Sequence, residues 1–179
     1  MGVKRGDLEH LIRAAATISG DDDIIVIGSQ AILGALPMAP ADLLVSNEAD
    51  MYPRNHPERW ELIDGSIGEL SPFHETFGYY AQGVEPGTAV LPARWESRLV
   101  PICNENTRGA TGWCLDLHDL MIAKYVAGRE KDHRFIESAL RHGLVEGETL
   151  LQRLAETELS QEARVRIAER IAYDRKRTG

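Results

Sequence analysis

Cysteine is scarce in this 179-residue chain. Cys103 and Cys114 are its two cysteines and neither lies in a Cys-x-x-Cys pair, which excludes a disulfide framework and leaves reduced core thiols. No stretch approaches the roughly 20 apolar residues of a membrane span. The segment Met1–Gly6 leads into an amphipathic helix and not into the apolar run of a signal peptide, so a cytoplasmic protein without a membrane partner is expected. Residue 6 is Gly where a myristoylation signal carries Ser or Thr. There is no internal repeat and no low-complexity tract. His118 and His133 are not an i, i+4 pair and His74 is distant, so a zinc hydrolase lacks its ligand spacing. Positive charge is the minority sign, 20 Lys and Arg against 28 Asp and Glu, and the net −8 argues against nonspecific nucleic-acid binding through the whole surface.

The length suits one domain, or one domain with a helical extension, burying about 70% of its unfolded surface without metal or disulfide help. Leu8, Leu11, Ile12, Ala15 and Ile18 recur at helical spacing, and Gly20-Asp21-Asp22-Asp23 turns the chain into a strand over Ile24–Ile27. A short helix follows Gly28-Ser29 and is stopped by Pro37 and Pro40. Leu43-Leu44-Val45 and Ala49–Tyr52 read as a second strand broken by Ser46-Asn47. Glu58–Leu70 reads as a helix weakened by Gly65 and Gly68, and Ser71–Tyr80 as a packed aromatic loop whose Phe73, Phe77, Tyr79 and Tyr80 serve packing before base stacking. Arg98–Ile102 and Thr111–Leu115 read as antiparallel partners across a polar turn. From Leu117 onward the pattern is helical. The sequence therefore divides into an α/β core over 1–116 and a helical portion over 117–179 packed on that core. The last helix is basic, with Arg164, Arg166, Arg170, Arg175, Lys176 and Arg177, and is either a solvated terminal helix or a contact for RNA phosphates.

The chemistry concentrates near the first strand. A β-branched run that ends in Gly28-Ser29 and opens into a helix offers backbone N–H groups and a hydroxyl to phosphate oxygens. Glu48 and Asp50, at i and i+2 of the next strand, point to one side and can hold a divalent cation. Further on, Lys124 lies among apolar positions and either snorkels or meets phosphate. Arg129–Arg134 can be a solvated face laced by Glu130 and Arg134.

Gly28-Ser29, the Glu48-x-Asp50 pair and the run Leu117-His118-Asp119-Leu120-Met121-Ile122-Ala123-Lys124, continued to Arg129-Glu130-Lys131-Asp132, resemble a nucleotidyltransferase-like family of uncharacterised bacterial proteins. This DUF6036-type group is related to abortive-infection and toxin–antitoxin nucleotidyltransferases and, more distantly, to the DNA polymerase beta superfamily. The resemblance runs from about Leu8 to Leu144. It implies an α/β nucleotidyltransferase-like fold of the polymerase beta type, a mixed sheet with flanking helices and a C-terminal helical portion. It further implies Mg²⁺ (or Mn²⁺) held by Glu48 and Asp50, an NTP substrate with Gly28 and Ser29 at its β- and γ-phosphates, Lys124 on phosphate, and Asp132 as a carboxylate kept after that lysine. A helix continuous through Gly128 puts Lys131 on the face of Lys124, so that both converge on one triphosphate beside Asp132. A third carboxylate is implied on a neighbouring strand, for which Asp64 is chosen over Glu61 and Glu96. The activity implied is transfer of a nucleotide to an acceptor, RNA favoured, in a protein that acts as a toxin with a cognate antitoxin. The alternative is a catalytically degenerate member serving as a nucleotide-binding or protein-interaction module, since the usual Asp-x-Asp is Glu-x-Asp here and the longer side chain reaches about one bond further.

Overall fold

The computed structural model describes residues 2–179. Two compact units make up the chain, one of residues 1–88 and 98–116, the other of residues 89–97 and 117–179. The first unit opens with α1 (Arg5–Ser19), whose apolar stripe Leu8, Leu11, Ile12 and Ala15 is buried and whose end is set by Gly20 in the left-handed conformation. Then come β1 (Asp23–Val26), a 3₁₀ turn (Ser29–Ala31) running into α2 (Ile32–Ala35), and β2 (Glu48–Pro53). Helices α3 (Trp60–Ile67) and α4 (Pro72–Phe77) precede β3 (Tyr80–Gly83), and β4 (Val100–Ile102) and β5 (Thr111–Cys114) finish the unit.

The five strands form one mixed sheet in the order β3-β2-β1-β5-β4. The central β1 runs antiparallel to β2 and parallel to β5, β2 runs parallel to β3, and β4 and β5 form the expected antiparallel pair. This mixed α/β architecture matches the fold class implied by the sequence. Side chains alternate across the sheet. Gly112 passes tight against Ile12 of α1, Gly83 against Trp60 and Asp64 of α3, and Gly34 of α2 against Cys114, so these three helices share one face with Ile24, Val26, Ala49 and Met51. Glu48, Asp50, Tyr52, Tyr80 and Gln82 alternate with those positions and belong to the other face.

Two expected elements are corrected. Leu43-Leu44-Val45 is not a strand; a 3₁₀ turn covers Ala41–Leu43, Leu43 alone of the three is buried, and Val45 is 77% exposed. The apolar run pairs with neither edge of the sheet, β3 or β4, and turns before the chain enters β2. The aromatic stretch after Leu70 is not a loop. Ser71 caps α4 by accepting from the His74 N–H, and β3 follows as an edge strand. Around it His10, Phe73, Phe77 and Tyr79 pack ring against ring, with Phe73 and Phe77 centroids 4.7 Å apart. Both cysteines are free; Cys103 is exposed, while burial pushes the Cys114 thiol up to about 12.

The second unit is helical: α5 (Leu117–Ala127), α6 (Glu130–Arg141), α7 (Gly147–Ala155) and α8 (Gln161–Thr178). The segment 89–97 joins it through a bridge between Pro92 and Thr157 and an ion pair between Arg94 and Glu156 at 3.0 Å. No helix among the described residues is long and apolar enough to cross a membrane.

Candidate functional site

Strand β1 ends at Val26, and the chain leaves the sheet through Ile27 and Gly28 before winding into the turn at Ser29. Ile27 N–H still donates to the Asp50 carbonyl at 3.0 Å, which keeps β2 alongside the turn. Asp50 therefore presses its carboxylate against Gly28: a β-carbon added there would stand 2.9 Å from Asp50 Cγ and nearer still to Oδ2. Only glycine gives this carboxylate its room.

Glu48, two residues back on the same face of β2, is in register with Tyr80 of β3, and the Tyr80 hydroxyl donates to Glu48 Oε2 at 2.9 Å. Burial, and then the bond and charge of Glu48, push the Tyr80 phenol well above its ordinary pKa. Asp50 is in register with Gln82. The approach to β2 is tied to the turn as well. Gln30, fully buried, donates through Nε2 to the Ser46 carbonyl at 3.0 Å, and Ser46 Oγ accepts from the Glu48 N–H at 3.1 Å. Gln30 Oε1 has no hydrogen-bond partner among the described residues.

The arrangement thus joins a strand-to-helix turn with two carboxylates on one strand face. Among the described residues no group of three or more His, Cys, Asp and Glu side chains is gathered as metal ligands. Two carboxylates suit Mg²⁺, which takes one or two from protein and completes its shell with water and substrate phosphate.

Asp64 requires correction. It stands on α3, not on a strand, and α3 covers the sheet face opposite Glu48 and Asp50, so the sheet separates it from them. The residue beside Asp50 on the neighbouring strand is Gln82, an amide. Gly78-Tyr79-Tyr80-Ala81-Gln82-Gly83 is too short and too glycine-bounded to announce a strand, and Tyr80, Gln82 and Gln30 were all missed as site residues. A groove of about 400 Å³ lined by His10, Arg13, Ile67, Phe73 and Arg108 belongs to the helical layer and includes none of the Glu48–Asp50 face.

In the second unit Lys124 is buried, with its ammonium 3.2 Å from Asp132 Oδ1 and 4.4 Å from the Phe135 ring centre. Arg129 Nε donates to Asp132 Oδ2 at 2.7 Å and the Arg129 N–H to the same oxygen at 3.2 Å, which makes Asp132 the acidic half of the cap on α6. Burial alone would raise the Asp132 pKa, but the Arg129 bond and the Lys124 charge outweigh it and hold the carboxyl below its usual range. The expected convergence of Lys124 and Lys131 on one helix face is also corrected. Gly128 turns left-handed at φ 63°, α5 stops at Ala127, and exposed Lys131 lies on the first turn of α6.

Half of the basic set on α8 is occupied within its own unit. Arg164 donates to the carbonyls of Leu154, Ala155 and Thr157, Arg170 pairs with Asp174 at 2.9 Å, and Arg177 with Glu137 at 2.8 Å. Arg166, Arg175 and Lys176 are exposed.

The profile of a family described as nucleotidyltransferase of unknown function (DUF6036) matches residues 6–177. No curated protein and no solved structure matches the chain.

Proposed function

Since the chain belongs to that nucleotidyltransferase family over nearly its whole length, we propose that it transfers a nucleotide from an NTP to an acceptor hydroxyl, with RNA as the favoured acceptor. The observation that carries this reading is the Asp50 carboxylate seated against Gly28 with Glu48 two residues away on the same face. Glu48 and Asp50 would hold Mg²⁺ or Mn²⁺, which when bound neutralises charge on the triphosphate. Gly28 and Ser29 would receive the β- and γ-phosphates. In the transfer the acceptor oxygen forms a bond to the α-phosphorus, the bond from that phosphorus to the bridging oxygen breaks, pyrophosphate leaves, and Asp50 takes the proton of the acceptor hydroxyl. Exposed Arg166, Arg175 and Lys176 supply the cations for an RNA backbone. Lys124 would contribute to phosphate only by exchanging Asp132 for it, and Lys131 only from its own helix.

Incubation with each labelled NTP, Mg²⁺ or Mn²⁺ and a total RNA pool tests the proposal. Label should move into RNA with the wild type and not with Asp50→Asn, whose NTP-dependent rise in melting temperature should vanish while the fold persists. A toxin role adds that expression arrests growth and that Asp50→Asn relieves the arrest, with an antitoxin encoded by a neighbouring gene. A second reading, nucleotide binding without transfer, is favoured by Gln82 in register with Asp50, because an amide stands where a third carboxylate is expected and leaves Asp50 alone to serve as both metal ligand and proton acceptor. Metal-dependent stabilisation by NTP without label transfer would select it.

A further inference from the structure

We propose that Tyr80 is a positioning residue which makes a glutamate serviceable at position 48, an inference that rests on Glu48 being a metal ligand. Glutamate has one more rotatable bond than aspartate, so its carboxylate sweeps a wider space before a cation fixes it. The Tyr80 hydroxyl removes that freedom by donating to Glu48 Oε2 at 2.9 Å from the in-register position of the next strand. A carboxylate has about four acceptor sites, so this bond leaves it competent to coordinate. Tyr80 is itself held: it is 9% exposed and its ring lies 4.5 Å from that of His74. His74 is fixed in turn, its ring accepting the Leu70 N–H at Nδ1 over 3.0 Å and its backbone N–H donating to Ser71 Oγ over 3.1 Å. A continuous line of contacts therefore runs from the cap of α4 through two rings to the carboxylate. Such outer partners set the orientation and basicity of metal ligands. Tyr79, next in sequence, bonds to His10 at 2.9 Å and belongs to the aromatic cluster, which makes it a matched control.

The test is Mn²⁺ binding by the full chain, read from the electron paramagnetic resonance signal of the free ion, for wild type, Tyr80→Phe, Glu48→Asp and the double variant. Tyr80→Phe should raise the dissociation constant about tenfold, the loss typical of an outer-shell partner. In the Glu48→Asp background, where the shorter side chain no longer reaches the hydroxyl, the same change should cost less than about twofold. Tyr79→Phe should leave binding unchanged. Equal losses in both backgrounds, or none in either, overturn the inference. Wild-type binding abolished by Asp50→Asn but indifferent to Tyr80→Phe sinks the Tyr80 role while the metal site stands; no wild-type binding at all removes both. Should Tyr80→Phe fail to fold, His74→Ala takes its place, with the same background dependence expected and a loss of about threefold.

Discussion

Lys124 and Asp132 carry the most specific motif in the sequence, and their side chains meet each other. Asp132 is completely buried with Lys124 on one oxygen and Arg129 on both, so removing it takes the countercharge from a buried ammonium group and opens a cap on α6. Asp132→Ala should therefore destabilise the protein by about 3–5 kcal/mol in chemical denaturation, the range for breaking one side of a buried pair. Lys124→Met keeps the packing against Phe135 and leaves Asp132 with Arg129, so it should cost distinctly less. If Lys124 instead serves substrate, its replacement should lower NTP affinity by about 1.5–3 kcal/mol with stability nearly unchanged, and Arg134→Ala, exposed and paired with Glu130, should do neither. Spacing revealed that a lysine, an arginine and an aspartate act together. It could not reveal that they satisfy one another, because the bend that brings residue 124 to 132 is made by a single backbone angle between them.

That angle sits at Gly128, where φ is 63° and a side chain is strained. Gly128→Ala should lower stability by about 1–2 kcal/mol through the left-handed conformation alone, seen as an earlier denaturation midpoint with NTP-dependent stabilisation retained. A full loss of the nucleotide effect would mean that the α5–α6 junction bears on the site directly. The elements that were legible in the sequence had long periodic stripes or a strong stop, such as α1 with Gly20 and the β4–β5 pair about its polar turn. Strand β1 and the Glu48-x-Asp50 face of β2 were legible too, because branched residues and an i, i+2 pair mark a strand by themselves. Strand β3 was not. Its four residues Tyr80–Gly83 alternate correctly, but they become a strand only because β2 offers an open edge in parallel register. With β3 hidden, Tyr80 and Gln82 were hidden as well, and Asp64 was chosen for a strand position that an amide occupies.

Across the whole molecule the excess of acidic residues hides three carboxylates that folding depends on. In the first unit burial would raise Glu9, yet the bonds from Asn106, Asn104 and Arg5 outweigh it, and Asp21 is likewise overruled by donors from Asp23, Asn55 and His56. In the second unit Asp132 is held down by Arg129 and Lys124. All three are depressed in the folded chain relative to ordinary values of 4.5 for Glu9 and 3.8 for the two aspartates. The stabilisation is therefore fully present above those ordinary values, and it is lost as pH falls through the lower folded ones, where the folded state must take up protons that the unfolded chain already holds. Each such group contributes a slope of about 1.4 kcal/mol per pH unit in that window. Urea denaturation followed by fluorescence of Trp60 and Trp113 in the first unit and Trp95 in the second should show a shallow decline as pH falls through about 6.5, where the unfolded chain protonates His10 and burial opposes that proton in the folded one, and a steep decline below about pH 4. Asp21 accepts from three backbone N–H groups and the Asn55 amide, not from a cation, so its share should persist at high salt, whereas the share of Asp132 has partners that are charged. Asp21→Asn should lower the plateau and flatten the acid limb by about one proton. An acid limb as steep in Asp21→Asn as in the wild type would show that the carboxylate bridging the start of β1 to Asn55 and His56 is not among the groups whose protonation unfolds the chain.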